Sequence, residues 1–204
     1  MRHLSQTLIA LAIAGAPALA SAATWDIDPA HSSAGFSVRH LMVSNVKGQF
    51  TKVAGTLTYD EKDPTKSIVE ATIDVNSIDT RDAKRDAHLK SADFFDAAKY
   101  PTITFKSTKV RQVAPGKLEV TGNLTMRGVT RQVVLAVEGP TPEVKDPWGN
   151  TKIGASATTK VNRLDYGIKW NAPVPTGGVV VGEEIAINLD VELGKKAGTP
   201  VADK

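Results

Sequence analysis

An all-β fold, an eight-stranded antiparallel barrel with a short helical insert around residues 80–98, is what this 204-residue sequence predicts. Three observations point to it. Apolar and polar residues alternate with a period of two in about eight stretches, turn chemistry joins neighbouring stretches as hairpins, and one charged, helix-permitting segment interrupts the pattern.

In the first strand, Ala34, Phe36, Val38 and His40 alternate with Gly35, Ser37 and Arg39, which buries one face and wets the other. Similar patterns follow over 46–59, 68–75, 102–110, 118–124, 132–138 and 152–161. The last strand sets Ile185, Ile187, Leu189, Val191 and Leu193 against Glu184, Ala186, Asn188 and Asp190. Asp60-Glu61-Lys62-Asp63-Pro64 and Ala114-Pro115-Gly116 are turn signals, so neighbours pair antiparallel, and about eight up-and-down strands favour closure. A barrel of this size is either filled by side chains or holds one small ligand. Aromatics are 5% of residues and inward positions carry Val, Ile, Leu, Ala or Thr, which suits a slender apolar channel and a packed core equally.

The insert runs from Ser77 to Pro101, SIDTRDAKRDAHLKSADFFDAAKYP. Arg81, Arg85 and His88 are spaced i, i+4, i+7, which on a helix puts two guanidiniums and an imidazole on one face suited to an anion. Phe94, Phe95 and Tyr100 follow at once, so an amphiphile with a charged head and a greasy body would suit both. The same residues also read as a solvated face with local ion pairs, such as Asp82 with Arg85, above two phenylalanines that plug a barrel end. Two long connections, 143–150 and 171–178, are candidates for a pocket mouth, with Trp148 and Trp170 at their edges expected to cap the core.

Arg2 and His3, the apolar run from Leu8 to Ala14, and Ala20-Ser21-Ala22 predict a signal peptide over 1–22, cleaved after Ala22. The run is too short to span a bilayer, which needs about 20 residues, so no stable membrane insertion is expected. One domain over 23–194 and an aperiodic, disordered tail over 195–204 complete the organisation. There is no cysteine, which excludes a disulfide and a lipid-modified cysteine. The net charge of +3, or +2 once Arg2 is removed, comes from scattered lysines, so no nucleic acid is expected as a partner.

No catalytic motif is present: the sequence has neither G-x-S-x-G nor H-E-x-x-H, and no nucleotide-binding glycine loop. His31, His40 and His88 match no standard metal spacing, and no metal or other cofactor is expected. His40 reads as the end of an apolar strand face. Asp165 with Arg163, and Arg39 with a nearby acid, read as fold-pinning pairs.

RDAHLKSADFFDAAKYPTITFKS resembles the signature of the YceI-like family. So do Trp25 with Asp28 and His31-Ser32, Phe36-Ser37-Val38-Arg39-His40, Val46-Lys47-Gly48-Gln49-Phe50, Gly122-Asn123-Leu124-Thr125-Met126-Arg127-Gly128-Val129-Thr130, and Asn162-Arg163-Leu164-Asp165-Tyr166-Gly167. The resemblance implies a periplasmic, lipocalin-like barrel that binds a long-chain isoprenoid lipid or isoprenoid quinone without catalysis, for transport, storage or protection. Alternation and the insert together nominate Phe36, Val38, Phe50, Leu57, Phe94, Phe95 and Phe105 as the ligand-binding lining, with Arg81, Arg85, His88 and His40 at the head. At about 0.3 kcal/mol per heavy atom, micromolar binding near 8 kcal/mol needs roughly 27 atoms, or five or six isoprene units. Two rivals stand beside this: a stress-response interaction module with a filled barrel, and a hydrolase-type enzyme using His88, Asp86 or Arg163. The oligomeric state is open, a homodimer included.

Overall fold

The computed structural model describes residues 22–175 and 177–196. The signal-peptide expectation over 1–22 therefore lies outside the described residues except at Ala22, as does the tail beyond Lys196. The strands are β1 (Ala23–Ile27), β2 (Ser33–His40), β3 (Ser44–Phe50), β4 (Val53–Tyr59), β5 (Ile68–Asp74) and β6 (Ile78–Asp79). The helix α1 (Ala83–Lys90) follows, then β7 (Thr102–Ala114), β8 (Lys117–Met126), β9 (Val129–Glu138), β10 (Val144–Lys145), β11 (Thr151–Asn162) and β12 (Val181–Lys195).

These elements make eight barrel staves. β1 and β2 form one broken stave: Ile27 pairs with Leu193 of β12, and Ser33 through His40 pair with Asp190 through Val181. β3 and β4 form the next, on β2 and β1 respectively. β5, β7, β8, β9 and β11 continue in chain order, and β12 pairs with both β11 and the first stave. Every stave is antiparallel to its neighbours, so the sheet closes and leaves no long open edge.

The breaks have polar hinges. Between β1 and β2 the Ser32 hydroxyl accepts from the Glu192 N–H at 3.0 Å and donates to the Glu192 carbonyl at 3.3 Å, standing in for a ladder residue. Asp28 beside it accepts from Lys152 Nζ at 2.7 Å, and Glu192 takes the same ammonium at 3.0 Å. Between β3 and β4, Thr51 and Lys52 donate their backbone N–H groups to the Ser77 carbonyl and hydroxyl.

The insert, 75–101, folds over one end of the barrel, called the upper end below. It is less helical than expected: Asp82 caps α1 by accepting from the N–H groups of Lys84 and Arg85, so the helix starts at Ala83 and ends at Lys90. Turns carry the chain on through Phe94 and Phe95, fixed by Phe95 N–H to the Leu89 carbonyl and Ala97 N–H to the Lys90 carbonyl. β12 runs to Lys195, whose Nζ reaches Glu143 at 2.6 Å, so the first residue expected in the tail is ordered strand.

The hairpin between β2 and β3, also at the upper end, has an unusual tip. Leu41 and Met42 both sit in the left-handed region, with φ of 49° and 60°. That backbone normally selects Asn-Gly, and each non-glycine residue there costs about 1–2 kcal/mol.

Candidate functional site

The inward faces of the staves surround an apolar cavity of about 270 Å³. One water requires roughly 10–15 Å³, so this is a ligand-sized space and not a packing gap. It reaches Leu89, Phe94 and Phe95 at the upper end and Tyr59, Ser67 and Pro140 at the lower end. Below it, Trp25 packs with Leu57, Ile153 and Leu193 as a floor.

Two devices in the sequence keep the lumen open. Along β11 the inward positions Ala155, Ala157 and Thr159 are small, which widens that side of the wall. Opposite, the large rings lie back along the sheet: a Cβ at Gly48 would collide with the Phe36 ring, and one at Gly122 with the Phe105 ring. Each phenylalanine thus covers a glycine on the next strand instead of crossing the barrel.

All seven apolar positions nominated from the sequence, Phe36, Val38, Phe50, Leu57, Phe94, Phe95 and Phe105, line this cavity. None of the four polar ones does. Arg81 precedes the helix, exposed and with φ of 63°, so it shares no helical face with Arg85 and His88. The cause is the Asp82 cap, which starts the helix at Ala83 and leaves Arg81 outside it. Arg85 is turned to its own loop, donating from Nε to the Thr80 hydroxyl and from Nη2 to the Thr80 carbonyl, both at 2.8 Å. Asp86 accepts from the same Thr80 through its N–H at 2.9 Å and its hydroxyl at 2.6 Å. His40 ends β2 half-buried, opposite Val181 and outside the cavity wall.

His88 is a rim group. Its Nε2 lies 3.0 Å from an Asp93 carboxylate oxygen, and its ring stands edge-on to both Phe94 and Trp170 at 5.0 Å between centroids. Phe94 and Trp170 are 5.2 Å apart, so the three rings form a lid cluster above the cavity. Trp170 thereby caps the core as expected, whereas Trp148 does not: it is 85% exposed on a tight loop held by Asp146.

Arg163 pins the fold as expected, but through partners that its sequence neighbours do not reveal. Only 3% exposed, it lines the cavity's upper end and donates to four backbone carbonyls: Gly182 from Nε at 2.8 Å, Ile168 and Trp170 from Nη1 at 2.7 and 2.9 Å, and Val181 from Nη2 at 3.1 Å. The expected pair with Asp165 does not form, because Asp165 faces solvent on the short turn that Arg163 opens. Burial holds the guanidinium pKa below its ordinary value. Arg39 likewise meets neutral partners, Met42 O at 3.1 Å and Asn45 Oδ1 at 3.5 Å, and no acid. Arg127 joins insert to rim, donating to the carbonyls of Gly167 and Ala92 at 2.7 and 2.8 Å.

His88, Asp86 and Arg163, the trio an enzymatic reading requires, are thus engaged separately and do not converge. Asp28, His31 and Glu192 gather on the barrel's outer face as metal-type ligands, but the Lys152 ammonium already bridges both carboxylates. In the cavity wall the Ser67 hydroxyl is buried without a partner, and almost no polar surface faces the lumen.

A closed eight-stranded antiparallel barrel around one apolar cavity is a lipocalin-like fold, the architecture of proteins that enclose small apolar ligands. The chain belongs to the YceI-like family, whose profile matches residues 25–193. A UPF0312 protein of Vibrio cholerae is 41% identical over 171 residues, covering 81% of this chain and 90% of the relative. A crystal structure of the Campylobacter jejuni YceI protein superposes with a TM-score of 0.67 at 33% identity, over 78% of this chain and 90% of that one. A polyisoprenoid-binding domain from Saccharophagus degradans shares the fold, with a TM-score of 0.63 at 14% identity over 86% of this chain and all of that one.

Proposed function

We propose that this protein binds one long apolar chain inside its barrel, an isoprenoid lipid or isoprenoid quinone, as a non-catalytic periplasmic carrier, store or protector. The observation that carries the reading is the cavity: it runs from lid to floor and presents almost no hydrogen-bonding surface, so it selects for hydrocarbon. The likeness to the polyisoprenoid-binding domain of Saccharophagus degradans supports the ligand class. Export rests on the Arg2-His3 start, the apolar run and the Ala20-Ser21-Ala22 site.

In this account Phe36, Val38, Phe50, Leu57, Phe94, Phe95 and Phe105 contact the tail. Each buried CH₂ contributes up to about 0.8 kcal/mol, and the tail sets the affinity. Any polar head stays at or beyond the lid, because the guanidiniums of Arg163 and Arg127 are turned to backbone carbonyls and that of Arg85 to Thr80. Native mass spectrometry of protein purified gently from its native host tests this. The expected spectrum carries an isoprenoid mass in one-to-one ratio; protein that is empty under lipid-retaining conditions overturns the reading.

A further inference from the structure

Four exposed apolar side chains cluster at the upper rim. Val43 is 75% exposed, Met42 44%, Leu41 40% and Val179 37%. They belong to two loops locked side by side: Leu41 N–H donates to the Val180 carbonyl at 2.8 Å, and a Cβ on Gly178 would touch Met42 Cγ at 3.8 Å. The second loop is itself a hairpin, with Val180 N–H donating to the Ala172 carbonyl at 3.1 Å and exposed Pro173 bridged to Val179. The patch thus sits on two hydrogen-bonded loops, and it directly continues the cavity wall through Val38 and Val181.

Within the two loops themselves the charge has one sign, although the insert at the same end carries Asp82 and Asp93. Residues 33–50 contain Arg39 and Lys47 and no acid, and residues 168–182 contain Lys169 and no acid, in a chain with 22 acidic residues. All three cations are exposed, and Arg39 has only neutral partners. Glu183 and Glu184 follow further down β12, where Asn162 and Lys160 engage them. The strained Leu41-Met42 tip adds an independent sign, because a left-handed backbone that favours Asn-Gly is here filled by two apolar residues in solvent.

We propose that this double-loop rim is a docking surface for an anionic lipid bilayer, with Leu41, Met42, Val43 and Val179 entering the headgroup region and Arg39, Lys47 and Lys169 meeting lipid phosphates. Its purpose, to bring the cavity's upper end against the membrane from which a lipid is taken, rests on the ligand reading above. The docking itself does not. The opposite end has exposed Trp148 and Val144, but Glu143, Lys145 and Asp146 beside them are of mixed sign and Lys195 pairs with Glu143, so no basic patch faces an anionic surface there.

The test is co-sedimentation of the full protein with vesicles of phosphatidylethanolamine and phosphatidylglycerol, compared with phosphatidylcholine alone and with added salt. The double variant L41N/M42G installs the turn the backbone prefers, so it keeps or raises the melting temperature while removing two of the apolar groups. Wild type is expected to sediment with the anionic vesicles, L41N/M42G to partition about 10-fold less, and Trp148→Ser to behave as wild type. Lys47→Gln is expected to lower binding and flatten its salt dependence. Equal binding by wild type and L41N/M42G, or loss only in Trp148→Ser, overturns the proposal. So does a wild-type dimer that L41N/M42G dissociates, since the patch then covers a second copy. Bound lipid measured on the same samples separates the two readings: L41N/M42G that retains its lipid fails in docking alone, and empty protein that still docks defeats only the ligand reading.

Discussion

The barrel wall and its upper rim handle polarity in opposite ways. Along the wall, alternation removes nearly every polar atom from the lumen, and glycines at 48 and 122 let Phe36 and Phe105 lie flat. The rim is crowded with cations, yet Arg163 and Arg127 donate to backbone carbonyls, with the Arg127 Nε left unpaired, and Arg85 holds Thr80 beside Asp82. A wall of that kind recognises bulk and length, whereas a rim of that kind holds loops in place over an opening. These three arginines are therefore architecture, and a ligand's polar head receives no buried clamp from them.

Four experiments would break or sharpen this contrast. The largest effect is expected from Arg163→Met, which takes their guanidinium donor from the Gly182, Ile168 and Trp170 carbonyls, while Val181 keeps Asn171 Nδ2, and should lower stability by about 3–5 kcal/mol in denaturant unfolding. A loss below about 1 kcal/mol would mean that water satisfies those carbonyls and that the rim is not held this way. Next, Ala157→Phe puts a ring into the lumen from the small-residue side. Bound lipid should fall about 10-fold with the fold intact, and unchanged occupancy would show that ligand sits elsewhere.

A smaller, pH-dependent effect belongs to the joint on the outer face. The Lys152 ammonium, then His31, then the Ala30 N–H hold the Asp28 carboxyl well below the usual carboxylate range. A depressed folded-state pKa stabilises the protein at neutral pH, and that contribution disappears as pH falls below about 4. Asp28→Asn should therefore be less stable than wild type at pH 7, with the gap closing on acidification; a gap independent of pH would point to packing. Smallest of all, Ser67→Ala removes a buried hydroxyl that has no partner. Stability should hold or rise by up to about 1 kcal/mol, in contrast to Arg163→Met at the rim.

Much of the wall was legible in the sequence, because a period of two has one structural meaning. The stretches 46–59 and 184–193 became the staves of β3–β4 and β12, with only the hinge at Thr51–Lys52 unannounced. β1 escaped the pattern because five residues are too few to show it. Several motifs that identify the family are joints: Asp28, His31 and Ser32 hinge the first stave, and Asn162 and Gly167 cap the turn that presents Arg163. Neighbours in sequence misled where three-dimensional partners decide. Arg81 was grouped with Arg85 and His88 by spacing until a cap moved the helix start, and Arg163 was paired with the nearby Asp165 when its acceptors lie 5 to 19 residues away.

Local periodicity, turn chemistry and family motifs thus specify by themselves the eight staves and most of their inward faces, because each depends only on residues close along the chain. Whether the lumen is hollow or filled was decided only by closure of the barrel. It depends on which ring lies over which glycine of the neighbouring strand, and on which carbonyls a buried guanidinium meets when β11 and β12 come together.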